Sequence, residues 1–288
     1  RCVMYVRFQV LSAGIVSGHD PGAGGWKENT SAFSPPESAL DQTATHSLAP
    51  LVQKLSGAGP LSKAEQQAIQ GLPAKVRIVE AHQDIKQGGE ASASCCIVLD
   101  GWTCAFQMLQ EGRRSILAIS VPGDLPDLQS LHLSAPDFSM ATLTQATLAF
   151  VPHAEMHKLM AAFPTLATAL WREALITAAI HRAWMAGLSR RDARGRMAHL
   201  FCELYLRLSA ADRADGYAIP MPLRQPDLGD ALGLTSVHVN RTLRDLRSEG
   251  LIDLRGRRLE IRDWNGLCAA AEFDPQYLHL SAGGHNEA

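Results

Sequence analysis

Pro152 separates two hydrophobic periods, and a chain that changes period there cannot fold as a purely helical or a purely stranded body. Ahead of it, CCIVLDG, WTCAFQMLQ and RRSILAISV are short runs of branched, aromatic and sulfur-bearing residues. They are divided by the turn pairs Asp100-Gly101, Glu111-Gly112 and Pro122-Gly123. Strand side chains alternate between faces, so TCAFQML places Cys104, Phe106 and Met108 on a buried face and Thr103, Ala105 and Gln107 on the other. With the strands in FSMATLTQATLAFVP, the stretch from about 75 to 152 predicts a small antiparallel barrel or sandwich. Beyond Pro152 the period is helical. HAEMHKLMAAF reads as one helix, Pro164 punctuates, and TLATALWREALITAAIHRAWMAGL continues for about six turns without Gly or Pro until Gly187.

That long helix is apolar over more than one face, through Leu166, Leu170, Leu175, Ile176, Ala179, Ile180, Ala183 and Trp184. One contact does not use so much apolar surface, which suggests a second, such as a helix of another subunit; burial within the same chain is the competing reading. Before the strands, SLAPLVQKL and LSKAEQQAIQGL read as short helices, the second opened by a capping box of Ser62 and Glu65. Residues 1–45, with GHDPGAGG and SPPES, read as a disordered extension.

The overall net charge of -2 conceals an uneven distribution. Residues 189–264 hold 14 Arg and no Lys against 11 acids, a modest excess that alone establishes no polyanionic partner. The six cysteines form no C-x-x-C and no zinc spacing with histidine, which fits a reducing, cytoplasmic location. Cys95 and Cys96, adjacent on a strand, should point to opposite faces; the cysteines read first as small buried hydrophobes and second as redox sensors. No stretch reaches the roughly 18 apolar residues of a membrane helix, so no membrane partner is expected.

In the arginine-rich segment, SRRDARGRMAHLFCELYLRL reads as a helix with Met197, Leu200, Phe201, Leu204 and Leu208 inward. After a polar loop with Asp212, Asp215 and Gly216, QPDLGDALGL gives a short helix opened by Pro226, with Leu228, Ala231 and Leu232 at helical spacing and Gly233 in the turn. Thr235 caps the next helix, Gly250 ends it, and LIDLRGRRLEIRDW makes a hairpin tipped by Arg255, Gly256, Arg257 and Arg258. Two helices joined by a tight turn and followed by a basic hairpin make a winged helix-turn-helix pattern. At about 100° per residue, Val239, Leu243 and Leu246 share the buried face of the second helix. Val237, Arg241, Arg244 and Ser248 lie opposite, flanked by His238 and Asn240. The major groove admits a helix and offers guanine to a bidentate Arg and adenine to an Asn. Arg241 is therefore the first candidate base reader, with Ser236, His238 and Asn240 behind it, Arg244 on base or phosphate, and the wing arginines, Arg257 among them, on phosphates.

VLDGWTCAFQMLQEGRRSILAISVPGDLPDLQSL and LGLTSVHVNRTLRDLRSEGLI resemble the Crp/Fnr transcription regulators, the superfamily of the cyclic-AMP receptor protein and the fumarate-nitrate regulator; the resemblance covers about 46–275. It implies an α+β fold: a cyclic-nucleotide-binding-like β-roll with flanking helices over 46–163, a dimerisation helix over 164–188, a winged helix-turn-helix domain over 189–264 and a tail over 265–288. The implied partners are double-stranded DNA carrying a near-palindromic operator, a second copy of the chain and RNA polymerase. Arg241 matches the family's guanine-reading arginine and Asn240 a small polar residue before it. Val237 stands where many members have a cytosine-contacting Glu; it could pack on a thymine methyl.

In cyclic-AMP-binding members a Gly-Asp turn precedes a Glu for the ribose and an Arg for the phosphate. Aligning on Gly123 and Asp124 puts Leu128 and Phe138 there, which argues against cyclic AMP, and the effector is left unassigned. An iron-sulfur cluster needs four ligands, and ahead of the strands there is only Cys2. Haem through His82 or His132 is a weaker option. Two other classes compete with this regulator, non-enzymatic reading. A cupin-like metal enzyme needs converging histidines and a carboxylate, and a protein-interaction module needs an apolar recognition face in place of Arg241 and Arg244.

Overall fold

The structure, a computed structural model, describes residues 47–57, 59–133 and 135–280. The expected extension at 1–45 lies outside the described residues. Helices α1 (Ala49–Ser56) and α2 (Lys63–Gln70) lead in. The capping box forms: Ser62 Oγ accepts from the Glu65 amide at 3.3 Å while the Glu65 carboxylate accepts from the Ser62 amide at 2.7 Å.

Seven strands follow, β1 (Lys75–Val79), β2 (Asp84–Lys86), β3 (Ser94–Asp100), β4 (Thr103–Met108), β5 (Arg114–Ser120), β6 (Ser139–Thr142) and β7 (Ala146–Pro152). They form two antiparallel sheets, ordered β1-β7-β3 and β2-β6-β4-β5. Cys96, Val98, Met140 and Leu148 fill the space between them. The strand period puts Cys95, Ile97 and Leu99 on the outer face of the first sheet, where they join Leu51 and Leu55 of α1. Cys95 and Cys96 thus enter different cores, as their adjacency on a strand requires.

The second sheet corrects the expectation of one buried face. Cys104, Phe106, Ile116 and Ile119 pack outward into the core of the C-terminal half, while Ala105 pairs with Met140 toward the roll interior. Thr103, Cys104, Ala105 and Phe106 are therefore all buried, whereas Met108, beyond the covered stretch and past a bulge at Ala105 and Phe106, is 58% exposed. Alternation fails because protein packs on both faces of the strand.

Helix α3 (His153–Ala162) leads to α4 (Pro164–Arg190), with Pro164 in its first turn. Gly187 does not end α4: it is buried within the helix, which stops at Arg191, whose backbone is extended. The C-terminal half contains α5 (Ala193–Ala210), β8 (Ala218–Pro220), α6 (Gln225–Leu232), α7 (Ser236–Ser248), β9 (Ile252–Arg255), β10 (Arg258–Ile261) and α8 (Trp264–Ala271). Within the stretch expected as a tail from 265, the described residues form α8 and a short 3-10 turn at Pro275–Leu278. Leu267 and Ala271 of α8 are buried with Met197, Phe201 and Cys202 of α5, because the apolar run LCAAA has a helical face to bury.

Ion pairs tie the roll to the C-terminal half. Arg114 of β5 donates to Asp227 and Asp230 of α6, both at 2.8 Å. Arg207 of α5 donates to Asp124 at 2.7 Å, to the Ile119 carbonyl at 2.8 Å and to Glu203 at 3.1 Å. Lys54 completes the cluster, 2.9 Å from Asp124 and 3.3 Å from Glu173. Burial works to raise the Asp124 carboxyl, but Lys54 and Arg207 overcome it and hold it at about 2.

Candidate nucleic-acid interface

The recognition face is built from the turn outward. Gly233 adopts φ 63°, and the Leu234 amide donates back to the Gly229 carbonyl at 3.0 Å, turning the chain between α6 and α7. A Cβ at Gly229 would lie 2.7 Å from the Leu234 carbonyl oxygen, so this helix pair closes only with glycine there. Thr235 Oγ1 then accepts from the His238 amide at 3.3 Å, which caps α7.

Helix α7 buries Val239, Thr242, Leu243 and Leu246 and exposes Ser236, Val237, His238, Asn240, Arg241 and Arg244. Val237 is 77% exposed, an apolar side chain at the front of a polar face. The Arg241 and Arg244 guanidinium groups meet no acid among the described residues. His238 Nδ1 lies 3.0 Å from Thr235 Oγ1, which fixes the ring at the helix start. Asn240 is tied differently from the expectation: its side-chain amide exchanges two hydrogen bonds with Gln225 of α6, at 2.7 and 2.8 Å. Nothing local in the sequence marks Gln225, whose partner lies across the turn.

The wing is a two-residue hairpin with Gly256 at φ 54° and Arg257 at φ 61°, the mirror-image turn that suits strand twist. Arg257 holds this backbone with a non-glycine residue, and its carbonyl accepts from Met221 at 2.8 Å. Arg255 and Arg258 are engaged by Asp253 at 3.0 Å and Asp215 at 2.8 Å. Among the described residues the Arg257 side chain has no such acid. The wing thus presents one unpaired cation beside two neutralised ones.

Residues 195–270 match the Crp-like helix-turn-helix domain family and residues 76–163 the cyclic nucleotide-binding domain family. The chain belongs to the Crp/Fnr family of transcription regulators. The nitrogen fixation regulation protein FixK of Azorhizobium caulinodans is 27% identical over 68% of this chain and 78% of that protein. The transcriptional activator protein FnrA of Stutzerimonas stutzeri is 25% identical over 70% of this chain and 85% of its own. The structure of FixK2 from Bradyrhizobium japonicum shares the fold, with a TM-score of 0.63, 24% identity and coverage of 69% of this chain and 98% of that one. The function that follows is that of a Crp/Fnr-type DNA-binding regulator.

A Crp/Fnr roll raises the question of a cyclic nucleotide, and the residues present do not fit one. Leu128 is buried among the residues that pack on the helices, and Phe138 packs on Met140 and Leu148 inside the roll. Next to Leu128, Asp127, 2% exposed, accepts from the Cys96 amide at 2.7 Å and pairs with Lys86 at 3.3 Å. Phe138 stands at the aligned position of the phosphate-binding Arg and Leu128 at that of the ribose-binding Glu, and neither offers the charge or hydrogen bond the ligand needs. A cavity of about 310 Å³ lies elsewhere, bordered by Lys54, Asp124, Arg172, Glu173, Ile176 and Arg207. His82 faces Arg224 at 2.9 Å and His132 faces the His157 ring at 5.7 Å. Among the described residues no group of three or more His, Cys, Asp or Glu gathers as a metal site, and no helix is long and apolar enough to cross a membrane.

Proposed function

We propose that this regulator acts in the cytoplasm as a homodimer that binds a near-palindromic operator, with one α7 in each of two major-groove half-sites. The observation that carries the reading is the division of α7 into a buried apolar face and an outer face with Arg241 and Arg244, which meet no acid among the described residues. Arg241 reads a guanine, Arg244 meets base or phosphate, and Val237 packs on a thymine methyl. Ser236 and His238 contact the groove edge from the first turn. Asn240, braced by Gln225, reads with its remaining hydrogen-bonding capacity. Arg257 neutralises a phosphate, which positions the domain without specifying sequence.

The dimer reading rests on α4. Besides its intramolecular face it exposes Trp171, Leu175, Met185 and Leu188, at 63, 52, 68 and 48%, spaced by helical turns along one flank. A second α4 covers this stripe in the proposed assembly, which contacts RNA polymerase once bound. The functional division is a roll over 46–163, a dimerisation helix over 164–188 and a DNA-binding unit from 189. The roll does not take a cyclic nucleotide by the family's usual route, given Leu128 and Phe138.

Selection of bound sequences from a random duplex pool, at a stated salt concentration, tests the whole reading. An enriched inverted repeat with half-sites about one helical turn apart is the expected result. Enrichment of a single half-site would remove the dimer, and no enrichment would remove sequence-specific binding.

A further inference from the structure

The Cys202 and Cys268 sulfurs lie 4.0 Å apart, facing each other from α5 and α8. We propose that Cys202 and Cys268 are a reversible thiol–disulfide pair that makes DNA binding respond to hydroperoxides. The regulatory half of this inference rests on the DNA-binding reading above; formation of the disulfide does not.

Geometry and access separate these two from the other described cysteines. Cys95, Cys96 and Cys104 are buried, and Cys95 and Cys96 point into different cores. Burial pushes the Cys95 and Cys104 thiols up to about 12, which leaves them almost wholly protonated and unreactive at neutral pH. Cys268 is partly exposed, so an oxidant can reach it, and Cys202 is buried directly behind it. The hydrogen bond between the sulfurs holds Cys268 below the ordinary thiol value and pushes Cys202 above it. Cys268 is thus the attacking thiolate and Cys202 the resolving thiol.

The chemistry balances with a hydroperoxide as the two-electron oxidant. The Cys268 thiolate attacks the O–O bond; an S–O bond forms, the O–O bond breaks, and the departing oxygen leaves as water or alcohol after taking a proton. Cys202 sulfur then attacks the resulting sulfenic sulfur. The S–S bond forms, the S–O bond breaks, and the Cys202 proton leaves with the hydroxide as water. A thiol reductant reverses the step by exchange.

Closure has a structural consequence, because a disulfide requires a sulfur separation of about 2.05 Å. Helix α8 has little slack to supply the movement. A Cβ at Gly195 of α5 would already lie 3.3 Å from the Ala270 carbonyl oxygen, and one at Gly266 would lie 2.7 Å from Leu251 Cδ2. Leu251 immediately precedes β9, and its carbonyl accepts from Arg262 at 2.9 Å, just after β10. Drawing Cys268 toward α5 therefore displaces the helix packed against Leu251 at the base of the wing hairpin, and the wing carries Arg257.

The test treats the full chain with hydrogen peroxide and maps its peptides by mass spectrometry under non-reducing conditions. The affinity of the treated and untreated protein is then measured for an operator selected with reduced protein. The expected result is a linked peptide pair holding Cys202 and Cys268 that dithiothreitol separates. Affinity should fall roughly fivefold or more, the low end of usual coupling between two sites. Cys268→Ser and, separately, Cys202→Ala, each shown to be folded by its melting curve, should form no link and keep their affinity. Oxidised Cys268 without the link overturns the pair. A link without a change in affinity, or an equal fall in Cys268→Ser, overturns its regulatory role. Failure of reduced protein to select any operator would count against the DNA-binding reading, while the peptide map would still decide the disulfide.

Discussion

Arg207 and Arg241 are the same residue type in opposite circumstances. Arg207 is buried at the junction of the roll and α5, with Asp124, Glu203 and the Ile119 carbonyl as acceptors. Arg241 is exposed on α7 and unpaired among the described residues. A guanidinium taken out of water needs its acceptors supplied by the fold, whereas one kept in water is available to a ligand's phosphates and bases. The fourteen arginines of residues 189–264 are therefore not equivalent. Arg207, with its internal acids, holds the halves of the molecule together; Arg241, Arg244 and Arg257, exposed and without an acid among the described residues, are the candidate nucleic-acid contacts.

The largest expected effect comes from the buried side. Arg207→Ala leaves the Asp124 and Glu203 carboxylates short of a partner in a desolvated site, and should cost roughly 3 to 5 kcal/mol of folding stability. Arg241→Ala should move stability by no more than about 0.5 kcal/mol. Urea titrations of the two variants make the comparison, and equal losses would break it.

The same contrast has a pH signature. Asp124 is held at about 2 against its ordinary 3.8, so the unfolded chain binds more protons than the folded one between these values. Its contribution to stability is complete above about pH 4 and is lost as the pH falls through about 2. Asp124→Asn should be less stable at neutral pH and flatter across that window; a wild-type acid limb retained unchanged in the variant would mean that Asp124 is not the titrating group.

How much of this contrast the sequence reveals depends on the distance over which each interaction acts. The capping box at Ser62 and Glu65, the Gly233 turn and the exposed face of α7 are set within a few residues, and local spacing makes them legible. The partners of Arg114 lie more than a hundred positions away, at Asp227 and Asp230, and no period records them. The same blind spot explains β4. Its alternation tells which side chains share a face, yet gives no sign that the core of the C-terminal half covers the outward one. Asn240 reads as a free base reader for the same reason, since Gln225 reaches it only once the helix pair has turned.

On the exposed side, Arg241→Ala should lower affinity for the selected operator by about 1 to 3 kcal/mol and relax preference at one base position. A competition series between operator and single-base variants checks it. Undiminished discrimination would reassign Arg241 from base reading to phosphate contact. Within this exposed set, Gln225→Ala should have a smaller effect, because it removes a brace from Asn240 and no direct contact to a strongly discriminated base.

Arg257 is the smallest and most diagnostic case. It is as unpaired as Arg241 but sits at the tip of a hairpin, where it reaches the sugar–phosphate backbone and no base edge in the proposed complex. Arg257→Ala should therefore weaken operator and scrambled duplex by the same factor and reduce the slope of log affinity against log salt by about 1. Both quantities come from one salt titration on two duplexes. If the slope stayed unchanged, exposure without an acid partner would not suffice to mark an arginine as a DNA contact. If the operator suffered selectively, the wing would be reading bases, and the division of labour between α7 and the hairpin would have to be redrawn.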